Sequence, residues 1–247
     1  MQTAAPPIRS ARWIAADVET TALSSGAGRV IEVAAILFSL DPAGPPHAEF
    51  ASLVNPGVTL SQETIDLTGI TQADVDQAPP PERVYGRLIE FMRGADYGIA
   101  HSSEFDAAWL SMEFDRLGLP MPTLPLLCTV SLSRRLLGRA VRRHKLASLV
   151  DHFGIQQQGA HRALSDTLAL VAVFRKLAAM LPPDREWPAL VASCKVARFQ
   201  APPVVQPVIV PVAAEPERVV YLDAGREVLP AFGGPDLCPG GCAGGGS

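Results

Sequence analysis

Two apolar runs rich in Val and Ile, at residues 12–18 and 29–38, and a third short run at 48–54 follow one another near the start of the chain. The first two are separated by the Ser/Gly stretch 24–28 and the third is closed by Asn55-Pro56-Gly57. Runs of this length and composition, bounded by breakers, read as consecutive strands. The pattern then changes. Ser61-Gln62-Glu63-Thr64 has the form of a capping box and opens a short helix that Gly69 closes, and 81–93 is a longer amphipathic stretch. Residues 97–100 fit a fourth strand, 104–117 a helix ending at Gly118, and 124–129 a fifth strand. Further helices are expected over 131–137, 146–153 and 166–181, the last apolar nearly all round between Leu168 and Phe174 and therefore packed on both sides. Strands first and then alternating strands and helices make an α/β domain.

Composition sets the limits of that domain. Of 247 residues, 48% are hydrophobic and 19% charged, which excludes disorder for the bulk of the chain. With 23 Pro and 20 Gly the chain exceeds the usual share, and the excess sits at the N-terminus and in the last fifth. We expect a flexible segment over 1–10, the domain over 11–182, a short helical extension over 183–200 with its helix at 187–196, and a Pro/Gly-rich disordered tail over 201–247. A net charge of −4 lacks the basic excess of a protein that holds nucleic acid chiefly by neutralising phosphates. No apolar run reaches membrane-spanning length and the start has no signal-peptide core, so the chain is expected to be cytoplasmic, with no membrane contact. Cys128 and Cys194 are isolated and Cys238 and Cys242 lie in the tail, so no disulfide framework or four-ligand zinc site is expected.

The chemistry lies in scattered acids. Asp17 and Glu19 end the first strand with one residue between them, so both carboxylates project from one face. Two hard oxygen donors there suit Mg²⁺ or Mn²⁺. The same pair could equally be solvated or act as a cap. Asp106 and Asp166 open predicted helices, where the macrodipole favours an acid in any case. His161 precedes Asp166 by five positions, about 140° round an ideal helix, so the two converge only if His161 lies in the loop before it.

Taken in order, these residues resemble the DEDDh exonucleases of the DnaQ-like superfamily, the family of the polymerase III epsilon proofreading subunit and ribonuclease T. The resemblance is carried by ADVETTAL (16–23), LTGIT (67–71), AHSSEFDAAWL (100–110), CTVSLSRRLL (128–137), HKLASLVDHFGI (144–155) and AHRALSDTLAL (160–170). It implies a ribonuclease H-like fold, a mixed five-stranded sheet flanked by helices, and 3′ to 5′ removal of nucleotides from single-stranded DNA ends. Asp17, Glu19, Asp106 and Asp166 would then hold two divalent ions, Mg²⁺ with Mn²⁺ as substitute. One ion would activate the attacking water and the other would stabilise the leaving oxygen. His161 would take the proton from that water. Leu23 and Phe105 would wedge against the terminal bases, and Thr20, Thr21 and His101 are further candidate substrate contacts. His47 and His152, like His101, show no partner pattern of their own. The chain has Ala22 where the family often has Gly, and Ser102 where it often has Asn, neither being a metal ligand.

A basic cluster, Arg134, Arg135, Arg139, Arg142, Arg143, His144 and Lys145, stands out in an acidic chain. It reads either as a solvated surface or as a path for phosphates, with Arg142, Arg143 and Lys145 the candidate contacts. A DNA polymerase is a candidate partner. The readings set against a DNA exonuclease are an exoribonuclease or oligonucleotide degrader, and a non-catalytic adaptor that only binds ends.

Overall fold

All ten residues of strand β2 (Val30–Ser39) are buried, as expected of a strand covered on both faces. The computed structural model describes residues 9–22, 28–41, 47–120, 124–157 and 161–181, and the backbone of 196–198, 222–223 and 226–227. β2 lies between β1 (Arg12–Thr20) and β3 (Ala48–Leu53), antiparallel to both. β4 (Tyr97–Ala100) runs parallel to β1, and β5 (Pro125–Cys128) parallel to β4. The five expected strands thus form one mixed sheet. A short strand β6 (Val196–Arg198) extends it, antiparallel to β5, giving the order β3-β2-β1-β4-β5-β6.

The helices are α1 (Gln62–Thr68), α2 (Gln72–Asp76), α3 (Pro81–Met92), α4 (Ser103–Leu117), α5 (Thr129–Leu137), α6 (Leu146–Phe153) and α7 (Ala163–Ala179). One face of the sheet packs on α3 and α4 through Ile14, Leu37, Leu88 and Phe114. The other packs on α6 and α7 through Trp13, Phe38, Leu149 and Phe174. α7 is buried against the sheet on one side and α6 on the other, as its apolar run requires.

Local signals place most boundaries. Ser61 caps α1 through its side chain and Gly69 ends it in the left-handed conformation at φ 70°. Pro81 stands at the first position of α3. Helix α2 was not expected. A reciprocal capping box, Thr71 with Asp74, makes it out of a five-residue segment too short for a periodic signal. α7 begins three residues before the expected 166, because its N-terminus is capped from another strand, as described below. Of the helix expected over 187–196, residues 187–195 lie outside the described residues, and Val196 opens a strand instead. Residues 1–8 and the tail also lie outside them, apart from the two-residue strands Leu222–Asp223 and Arg226–Glu227, which pair with each other. Among the described residues no helix is long and apolar enough to cross a membrane.

Candidate metal centre

Along β1, alternate residues Trp13, Ala15, Asp17 and Glu19 point to the face covered by α7, and the apolar pair belongs to the core there. Toward the carboxyl end of the strand the same row turns acidic, so the core gives way to a site without a change of face. This is also where the parallel strands β1, β4 and β5 end, the usual position of sites in α/β sheets. A register shift between Glu19 and Thr20 ends the regular pairing with β2 just after the acids.

Asp17, Glu19 and Asp166 offer carboxylate oxygens within 4.8 Å of one another, one acid set from β1 and one from the first turn of α7. Asp106, in the first turn of α4, is not in that trio. It is only 2% exposed, and its Oδ2 has no hydrogen-bond partner. Burial pushes Asp106 up to about 8, with the neighbouring Cys128 and Glu19 adding to the rise. Burial also raises Asp17 well above the carboxylate range, and the charge of Asp106 is the strongest of the neighbouring contributions. Glu19 is lifted to about 7 by burial and then by Asp166. Four crowded acids, each raised chiefly by burial and one of them with an orphaned buried oxygen, have the donor chemistry that a divalent cation satisfies.

His161 lies in the loop before α7, as convergence with Asp166 required, and adopts φ 62°. Its backbone N–H donates to Asp166 Oδ2 at 3.3 Å, and Gln157 Nε2 donates to Oδ1. The imidazole is exposed. Glu32, the one charged residue of β2, sits opposite Glu19 and is 4% exposed. It accepts from Arg162 Nη2 at 2.8 Å, from Arg162 Nε at 3.2 Å and from the Ala163 backbone N–H at 2.8 Å. Glu32, Arg162 and Gln157 are absent from the sequence-based expectations. A charged residue inside an otherwise apolar strand was the available signal for Glu32.

Of the expected substrate contacts, Phe105 is half-buried and meets Trp109 edge-on, ring centroids 6.0 Å apart. Thr20 Oγ1 donates to the Ala22 carbonyl, and Thr21 Oγ1 accepts from the Arg29 N–H, so both hydroxyls close the loop at the end of β1. Gly28 at the far side of that loop is needed for close approach, since a Cβ there would stand 2.5 Å from Trp109 Cη2. Leu23 lies outside the described residues. α4, which carries Phe105 and Asp106, is tied to the start of β2 by Glu113, which accepts from Arg29 Nε and Arg116 Nη1 at 3.0 Å each.

His101 also turns inward. Its Nε2 donates to the His144 carbonyl at 3.0 Å and its Nδ1 faces Thr129 Oγ1 at 3.0 Å. Burial lowers it to about 4, so the ring is neutral and Nδ1 accepts. His144 reaches Ser133 Oγ and the Gly138 carbonyl. These contacts hold the segment between α5 and α6, on which Arg139, Arg142, Arg143 and Lys145 are exposed.

Residues 14–174 match the family model described as Exonuclease. Over 165 residues the chain is 36% identical to the DNA polymerase III PolC-type of Oceanobacillus iheyensis, covering 67% of this chain and 11% of that protein. Over 172 residues it is 34% identical to the DNA polymerase III PolC-type of Streptococcus suis, covering 68% and 11%. The chain thus spans about a tenth of the length of these relatives. Among solved structures, the nuclease domain of 3′hExo, a DEDDh family member bound to rAMP, aligns with TM-score 0.57 and 18% identity over 77% of this chain and 96% of that one. Exonuclease X in complex with 5′ overhanging duplex DNA aligns with TM-score 0.54 and 21% identity over 72% and 99%. With the fold, the ordered acids and the family match in agreement, the chain belongs to the DEDDh, DnaQ-like exonucleases.

Proposed function

We propose that the protein removes nucleotides one at a time from the 3′ ends of single-stranded DNA, in the cytoplasm, as a proofreading or repair activity serving a DNA polymerase. The observation that carries this reading is the meeting of Asp17, Glu19 and Asp166 within 4.8 Å at the end of β1. The PolC-type names of the curated relatives favour DNA and a polymerase partner.

In this reading Asp17, Glu19, Asp106 and Asp166 hold two Mg²⁺ ions, with Mn²⁺ as substitute. Bound there, the ions supply charge to the phosphodiester and acidity to a water. His161, exposed on its loop, takes the water's proton on an imidazole nitrogen. Asp166 accepts the N–H of the same residue, so ligand and base move together. Leu23 and Phe105 grip the terminal bases, an apolar contact that tolerates any sequence. Thr20, Thr21 and His101 act one step back. Their polar atoms shape the β1 loop and the basic segment, while Arg142, Arg143 and Lys145 meet the phosphates.

The test is digestion, with Mg²⁺ or with EDTA, of 3′-free and 3′-blocked single strands, duplex DNA with a terminal mismatch, and RNA of the same sequence. Mononucleotide release from the free 3′ end of DNA, abolished by EDTA and by the block, is expected. Faster release from RNA would assign an exoribonuclease instead. Tight end binding without release would assign the non-catalytic adaptor.

A further inference from the structure

We propose that Glu32 and Arg162 form a positioning pair that sets Asp166 and His161 against the β1 acids; the proposal rests on the metal-centre reading above. An acid within a strand covered on both faces, as Glu32 is near the start of β2, is costly unless its oxygens are filled. Both oxygens of Glu32 are filled, and every donor comes from the entrance to α7: Arg162 Nε at 3.2 Å to each, Arg162 Nη2 at 2.8 Å and the Ala163 N–H at 2.8 Å. Arg162 stands at the N-cap position of α7, where its own side chain makes no capping bond. Glu32 supplies that cap from the neighbouring strand, with a negative charge at the positive end of the helix.

The geometry then runs in one line. Glu32 is the cross-strand partner of Glu19, so it carries the register of β1 to the helix. Arg162 O accepts the Asp166 N–H at 3.0 Å, and the His161 N–H reaches Asp166 Oδ2. Fixing Arg162 and Ala163 therefore fixes the ligand on one side and the base on the other. Glu32 has no oxygen left for a cation. Arg162 is 52% exposed at its side chain, and its value lies in the fork, which a lysine cannot reproduce.

The experiment uses the full chain, with Mn²⁺ binding followed by electron paramagnetic resonance without substrate. Turnover of a short single strand is followed against Mg²⁺ concentration. Glu32→Gln and Arg162→Gln are each expected to weaken Mn²⁺ binding at least tenfold and to raise the Mg²⁺ needed for half-maximal turnover similarly, with KM for the strand within threefold. Arg162→Lys, which keeps the charge at a half-exposed site and spares the buried acid, should fall between them and wild type. The Glu32→Gln/Arg162→Gln double variant should be no better than either single. Recovery of Mn²⁺ affinity in the double variant would mark a charge effect and overturn the proposal. So would a lowered unfolding temperature with an unchanged Mn²⁺ isotherm. Absence of Mn²⁺ binding by wild type would instead bring down the metal-centre reading, and this pair with it.

Discussion

Glu19 and Glu32 stand directly opposite each other on β1 and β2, yet only Glu32 is neutralised by close hydrogen bonds, through the Arg162 fork. One acid of the pair is thereby spent on structure and the other is left short of positive charge. That asymmetry separates a carboxylate held by the scaffold from one left free for the proposed metal site on the same face of one sheet, and it bears on how the protein responds to pH and to metal.

With Glu19 raised to about 7 and Asp106 to about 8, the folded, metal-free protein holds protons that the unfolded chain releases near pH 4. These groups favour the fold fully below that value, and their contribution is lost as pH rises toward 8. The unfolding temperature of metal-free protein should therefore fall from pH 5 to pH 8, and less so in Asp106→Asn. Mg²⁺ should raise it more at pH 8 than at pH 6. A metal effect independent of pH, measured by thermal denaturation, would contradict this.

Asp17→Ala and Asp166→Ala should abolish Mg²⁺-dependent nucleotide release while leaving the metal-free fold as stable as wild type or more so. Each removes one carboxyl group from a crowded trio and, in the proposed reading, a metal ligand at the same time. Turnover and unfolding midpoints, measured side by side, separate this outcome from simple misfolding, and near-wild-type turnover would refute the site.

His161→Ala should slow turnover by about 10²-fold or more, the range for loss of a general base, with Mn²⁺ binding little changed. Raising the pH should recover part of the rate as hydroxide replaces the base. Loss of Mn²⁺ binding with an unchanged rate per bound ion would make His161 a ligand.

Reversing Arg142, Arg143 and Lys145 to Glu should weaken binding of long single strands and spare turnover of very short ones. Three lost phosphate contacts correspond to a drop of roughly 2 in the salt slope of affinity. An unchanged slope on a long strand would remove this segment from the substrate path.

Ser102 holds φ 73° at the N-cap position of α4 with no side-chain cap. A left-handed backbone costs a serine roughly 1 kcal/mol that glycine avoids. Ser102→Gly should raise the stability by about that amount, and Ser102→Asn by less, as read from denaturant midpoints. Destabilisation by both would show that the hydroxyl has a role there.

The order of elements was legible because it is written locally. Breakers bound the strands, Ser61 and Gly69 carry their own cap geometry, 97–100 is a short apolar run, and 146–153 has the period of a helix. The acids were legible as a set through their resemblance to a family, and the spacing of Asp17 and Glu19 told that they share a face. Tertiary structure alone decided which atoms meet. The start of α7 depends on a carboxylate 131 positions away, Glu32 on Ala163, which no local window contains. Only packing decided that the Asp106 oxygen is left unpartnered, that His101 Nε2 meets the His144 carbonyl, and that residues 196–198 add a strand at the sheet edge. Period and capping are properties of neighbours in the chain, whereas desolvation and charge pairing depend on neighbours in space.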